Sequence, residues 1–282
     1  MKKRILFLAS ILLSTLFFST LSANTENSTI HVLTIRGAIG PAYADYFIRG
    51  LDFAQTENAA AVILLMDTPG GLDRSMRNMI QHISTSTVPV ITYISPTGSR
   101  AASAGTYLLY ASHIAAMAPG TNLGAATPVQ MGGTTPAPPK SNPLAPDDDK
   151  STAPTEKNRS AMEKKILNDA VAYIKGLAKL HGRNSDWAEK AVVEAASITA
   201  TKALELDVID IVAETIDDVL EQANGQSIHL NTEDIVFNVG NPVLNYIDPD
   251  WKTKVLSVIT SPDIAYLLLI AGVYCLFFEF SN

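Results

Sequence analysis

The sequence has almost no cysteine and little charge. A single Cys among 282 residues excludes a disulfide framework, and one thiolate cannot build a Cys-based zinc site. Asp, Glu, Lys and Arg together make up 17%, below the roughly 25% usual for a soluble domain. That deficit suggests that some of the chain sits in lipid. Basic residues are not in excess: 21 stand against 28 acidic ones, for a net charge of −7. A nucleic-acid binder working through a basic face is therefore excluded. The sequence also lacks a P-loop, a pair of histidine ligands and any internal repeat. No metal and no cofactor are expected.

What is present begins at the ends. Met1-Lys2-Lys3-Arg4 precedes an apolar run from Ile5 to Phe18 and the small-residue site Leu21-Ser22-Ala23. This is the pattern of an export signal over 1–23, cut after Ala23. Its removal takes three basic and no acidic residues, moving the net charge from −7 to −10. At the other end, Ile264–Phe278 is a run of 15 residues without charge. It is shorter than the ~20 residues of a bilayer crossing, yet has no polar face. It reads as one membrane helix over 262–282, with Trp251 and Tyr266 at the interface and a linker over 246–261.

Between the ends, strand-like runs alternate with helical patterns, as in α/β folds. Strands are expected at Ile30–Ile35, Ala61–Asp67, Val88–Ile94, His113–Ala118 and Val208–Val212. Helices are expected near Ala42–Thr56, Asp73–Thr85, Ala102–Ala111, Ala161–Leu180, Asp186–Ala195, Thr199–Leu204 and Ile216–Ala223. The stretch from about 130 to 155, with Pro136-Ala-Pro-Pro139 and Asp147-Asp-Asp149, has few apolar residues to bury and reads as a flexible surface loop. A second turn-rich stretch, Asn224–Pro249, links the soluble part to the apolar tail. One domain over 24–245 accounts for the rest.

Two small-residue patches stand out. Asp67-Thr-Pro-Gly70-Gly71 follows an apolar strand, and its glycines allow a sharp turn with bare N–H groups. Alone, it reads better as an ordinary strand-to-helix turn. Ser99-Arg-Ala-Ala-Ser103-Ala104-Gly105-Thr106 opens a helix, whose N-terminus has spare donors and a positive dipole end. Ser103 there is a candidate nucleophile. The N–H of Ala104 and that of Gly71 or Gly70 are candidate donors to an oxyanion, each worth about 3 kcal/mol in acyl transfer. A helix cap or a small packing residue is the other reading of Ser103.

Taken in order, Leu65-Met-Asp-Thr-Pro-Gly-Gly71, Pro89-Val-Ile-Thr-Tyr93, Ala101-Ala-Ser-Ala-Gly-Thr-Tyr107, Met117-Ala-Pro-Gly-Thr121, Ile198-Thr-Ala200, Ala203-Leu204 and Val208-Ile-Asp210 resemble the NfeD family, membrane-bound serine proteases of the ClpP class. The resemblance runs from about Ile30 to Phe280, with the Pro-rich loop as the gap. It implies a ClpP/crotonase-like fold of repeated β-β-α units, with Ser103 as nucleophile and Gly70, Gly71 and Ala104 around the oxyanion. It also implies an extracytoplasmic (periplasmic) protease domain on the cell membrane. The implied substrates are hydrophobic segments of membrane proteins such as stomatin-like (band 7) proteins, and the class often self-associates. Longer relatives carry further membrane helices and an OB-like domain, so the chain reads as a short form.

A serine needs a base. No His falls near Ala126-Thr127, where ClpP has one, and none of the five His residues suggests a triad. His113 packs or faces solvent. His82 and His181 fall on wet helix faces, and His31 and His229 have no acidic companion at a telling spacing. The resemblance instead implies a Ser-Lys dyad. Lys165-Ile-Leu-Asn168-Asp169-Ala170-Val-Ala172-Tyr173-Ile174 matches the helix that carries the family lysine, which assigns the role to Lys165. On a helical wheel, Met162, Ile166, Ala170, Tyr173, Leu177 and Leu180 form an apolar stripe with Lys165 on its flank, where desolvation favours the neutral amine. Asp169, one turn on, argues against this, because an ion pair would keep the amine charged. Met66, Pro69 and Thr127 are candidates for a substrate groove, with Met76 and Met79 beside Met66. A crotonase-type acyl-CoA enzyme fits poorly with an export signal and lacks the catalytic Glu pair. A catalytically silent scaffold for stomatin-like oligomers remains the alternative.

Overall fold

The computed structural model describes residues 28–129, 161–260 and 262–281. The expected signal over 1–23 and most of the expected loop over 130–155 lie outside these residues.

Runs of β-branched and aliphatic residues form the four central strands of the main sheet, which are buried on both faces. β1 (Thr29–Arg36), β2 (Ala61–Asp67), β3 (Val90–Ile94), β5 (Ile114–Met117), β8 (Ile211–Val212) and β11 (Val243–Ile247) make a six-stranded sheet in the order β11-β1-β2-β3-β5-β8. Every pairing within it is parallel. Successive side chains alternate between the faces. Val62, Leu64, Met66, Val90 and Ile94 enter one core, and Ile30, Val32, Ile63, Ile91 and Tyr93 enter another.

The larger core is closed by α1 (Pro41–Thr56), α2 (Asp73–Ser84), α3 (Ala104–Ala111), α4 (Ala161–Leu180), α5 (Ser185–Val193) and α6 (Ala200–Glu205). The smaller one is closed by α7 (Ile216–Ala223) and by the hairpin of β9 (Ser227–Leu230) with β10 (Glu233–Val236). β4 (Arg100–Ala102), β6 (Asn122–Gly124) and β7 (Ser197–Thr199) form a second small sheet in the order β4-β6-β7. The long elements therefore match the sequence expectation, and the three-residue strands were not anticipated.

The C-terminal region differs most. The turn-rich stretch 224–249 holds the β9–β10 hairpin and β11, a parallel edge strand laid against β1. The expected domain end at 245 falls inside β11, whose Ile247 carbonyl is bonded by the Tyr46 hydroxyl of α1. The expected linker 246–261 holds the end of β11 and α8 (Trp251–Ile259), which packs on α1. Pro262–Ser281 is helical (α9). As a correction, among the described residues no helix is long and apolar enough to cross a membrane. Asp263 and Glu279 bracket its apolar run.

Candidate active site

The site collects at the carboxyl ends of the parallel strands, where open α/β sheets place their ligand crevices. The chain leaving β2 runs through Thr68, Pro69, Gly70 and Gly71. Thr68 N–H donates to the Arg100 carbonyl and Ala102 N–H to the Thr68 carbonyl, which stitches this turn to β4. Buried Thr68 also folds its own turn: its hydroxyl donates to the Gly70 carbonyl and accepts from the Gly70 N–H, both at 3.0 Å. Gly71 lies against the segment after β1, where Ile39 N–H donates to the Gly70 carbonyl and Leu72 N–H to the Ile39 carbonyl.

Ser103 sits between β4 and α3 with φ +51° and ψ −116°. A non-glycine residue in this region is strained and persists only where its surroundings over-determine it. They do so here. Ser103 N–H donates to the Gly124 carbonyl of β6 at 3.0 Å, and Thr106 of α3 ties back through its hydroxyl to the Ala101 and Gly124 carbonyls. A strand–strained serine–helix turn of this kind pushes the hydroxyl out over the sheet edge. The Ser103 hydroxyl makes no hydrogen bond among the described residues.

Glycine is required beside it. A Cβ on Gly70, whose φ is +121°, would stand 2.7 Å from Ser103 Cβ and 3.2 Å from its Oγ. A Cβ on Gly71 would stand 2.1 Å from the Ile39 carbonyl oxygen. Among the expected oxyanion donors, the Gly70 N–H is occupied by Thr68. The N–H groups of Gly71 and of Ala104, the first residue of α3, donate to nothing among the described backbone bonds. Two donors are therefore free beside one hydroxyl.

The other expected residues are placed less favourably. Met66, Met76 and Met79 are at most 3% exposed. They fill the core and line no open groove, because β2 and α2 turn them toward the sheet–helix interface. Pro69 is exposed. The Thr127 hydroxyl donates to the Val192 carbonyl at the end of α5, 2.6 Å away. A cavity of about 340 Å³ between the end of β5, β8 and α7 is lined by none of these residues.

Lys165 is the fifth residue of α4, and it is exposed. The buried positions of this helix are Ala170, Ile174, Leu177 and Ala178, while Met162 and Leu180 are exposed. The buried stripe is therefore rotated from the one read off the sequence. At 100° per residue, Lys165 points about 180° from its centre. No hydrogen bond joins Lys165 to Ser103 among the described residues. The ion pair of Asp169 is with Arg77 of α2, at 2.6 Å. Arg77 also holds Asp73 and lies 4.3 Å from the centre of the Tyr173 ring. Arg77 carried no sequence signal, since the contact spans 92 positions.

The histidines form no triad with Ser103. His113 precedes β5, at the opposite end of the sheet, and stacks edge-on to His181. Burial lowers both, to about 4 for His113 and about 3 for His181, with Arg183 adding to the shift. His181 is thus half-buried and not on a wet face. His229 does have an acidic companion, Asp234, 2.8 Å away across the β9–β10 hairpin.

The fold and the serine turn define a class first. The chain is similar to solved structures of the 1510-N membrane-bound stomatin-specific protease of Pyrococcus horikoshii. A lysine-to-alanine mutant of it in complex with a substrate peptide is 35% identical, with a TM-score of 0.71, over 83% of this chain and 99% of that one. A serine-to-alanine mutant is 34% identical, with a TM-score of 0.66, over 79% and 99%. In sequence, the chain is 38% identical over 257 residues to Membrane-bound protease PH1510 of the same organism, covering 89% of this chain and 53% of that protein. The chain thus spans about half the length of that relative. Residues 29–233 match the family described as NfeD1b, N-terminal domain, and the chain belongs to that family.

Proposed function

We propose that this chain is a serine endopeptidase of the ClpP-like class that cleaves hydrophobic segments of membrane proteins, with a stomatin-like protein as substrate. The observation that carries the reading is Ser103. Its unengaged hydroxyl stands at a strained strand-to-helix turn, against Gly70 and beside the free N–H groups of Gly71 and Ala104. The substrate class rests on the relative, whose structure with a substrate peptide is named as stomatin-specific.

The mechanism follows from the groups present. Lys165, as the general base, takes the Ser103 proton as Oγ attacks the peptide carbonyl. The resulting oxyanion is held by the Gly71 and Ala104 N–H groups. Collapse breaks the C–N bond, and Lys165 returns its proton to the leaving amine. Water then attacks the acyl-serine, losing a proton to Lys165, and as the ester C–O bond breaks Lys165 passes that proton to Ser103 Oγ, releasing the carboxylic acid. In this reading Lys165 meets the Ser103 hydroxyl when substrate is bound. Arg77 assists by engaging Asp169, the carboxylate one helical turn on from Lys165.

The same reading places the protease on the extracytoplasmic side of the membrane, exported by residues 1–23. The exposure of Lys165 favours one other reading, a silent scaffold. Cleavage of a peptide from the hydrophobic tail of a stomatin-like protein, compared between the parent, Ser103→Ala and Lys165→Ala, decides. Cleavage by the parent alone supports the dyad. No cleavage by the parent sinks the protease reading, and unaltered cleavage by either variant sinks the assignment.

A further inference from the structure

Helix α8 is built inside out. It packs on α1 through Thr253, which is 4% exposed, with Thr260 just beyond its end facing Gly40. Asp250 caps it and lies 4.0 Å from Arg49 of α1. At about 100° per residue, buried Thr253 and half-buried Ser257 share the protein-facing side. The opposite side carries Trp251, Val255, Val258 and Ile259, which are 70, 47, 57 and 45% exposed. A soluble helix does the reverse, burying its apolar stripe and wetting its polar one.

The charges are arranged around that outward stripe. Lys252 and Lys254 lie on its two flanks, and they are the only Lys or Arg from position 224 to the end of the sequence. Lys252 Nζ lies 6.0 Å from the centre of the Trp251 ring. An apolar strip with an indole, edged by lysines, suits the boundary between headgroups and acyl chains. It is also continuous in sequence with apolar α9. We propose that α8 is an interfacial helix lying in the headgroup layer of an anionic bilayer, and that it orients the domain on the membrane. This surface is independent of Ser103 and of the proposed reaction.

Trp251 is a native probe, because the only other tryptophan, Trp187, is buried and stacked on Tyr110. The full chain is mixed with phosphatidylcholine–phosphatidylglycerol vesicles carrying bromine high on the acyl chain. The expected result is a blue-shifted Trp251 emission, quenching by the shallow bromine and protection from aqueous iodide. Lys252→Gln/Lys254→Gln should weaken the quenching severalfold, and phosphatidylcholine alone should do the same. Val255→Glu/Val258→Glu should abolish it with an unchanged circular dichroism spectrum. The proposal is overturned if a chain that floats with the vesicles leaves Trp251 as open to iodide as in buffer. It is equally overturned if protection appears without lipid and grows with protein concentration, since a second copy then covers the face.

Discussion

The two ends of the proposed dyad are held very differently. Ser103 lies where three segments are cross-bonded: the turn after β2, the start of α3 and the end of β6. Its backbone strain is imposed by neighbours that leave room only for glycine at 70 and 71. Lys165 is exposed near the start of α4, whose packing against the core begins at Leu167. One half of the site is preorganised in the folded domain. The other is an exposed lysine with no hydrogen bond to Ser103 among the described residues.

The largest effects expected from this contrast are at the serine turn. Gly71→Ala drives a methyl into the Ile39 carbonyl and should cost several kcal/mol, on the scale of the worst single substitutions. A Tm within a degree or two of the parent would show that the turn is not rigid. Ser103→Ala and Lys165→Ala should each lower kcat by about 10³-fold or more with an unchanged Tm. A Lys165→Ala variant that loses stability would place the lysine in a structural role.

A smaller effect separates the two ends of the sheet by pH. His113 and His181 are held below their usual pKa of 6.5 by burial. The unfolded chain therefore binds protons that the folded chain refuses. Stability should be fully present above about pH 6.5, fall as the pH drops toward about 4, and level off below about 3 where both states are charged. Thermal melts across that range check this, and His113→Gln should flatten the slope. A slope unchanged in the variant removes the histidines as its cause. The smallest effect is at Arg77, whose ion pair is partly exposed and so worth about 1 kcal/mol or less. Arg77→Ala should lower kcat/KM severalfold by releasing Asp169 toward Lys165. Adding Asp169→Asn should restore it. If the double variant is no better than the single one, Arg77 acts only through packing.

Much of this was readable in advance. The long strands and helices follow from apolar periodicity, which needs only local sequence, and the Ala–Ser–Ala–Gly run marked the serine turn. The strands of the small sheet have three residues each, too few to show a period. β11 is a strand because the free edge of β1 accepts it, a long-range fact. The orientation of α4 was misread for a similar reason. Its apolar letters include Met162 and Leu180, but burial depends on where α3 and α5 lie. The interfacial face of α8 was invisible because its threonines and its valines exchange roles only once α1 is beside it.

By itself, the sequence determined that the chain is an α/β protein with a small-residue serine turn and a strongly apolar tail. These are properties of neighbouring residues, and local sterics and hydropathy settle them. The tertiary structure decided which amides are free, which carboxylate meets which cation, and which faces meet solvent. Gly70 loses its N–H to Thr68, Asp169 goes to Arg77, and Lys165 faces away from the core. The reason is that hydrogen bonds and burial depend on partners far apart along the chain, and only packing the elements together selects those partners.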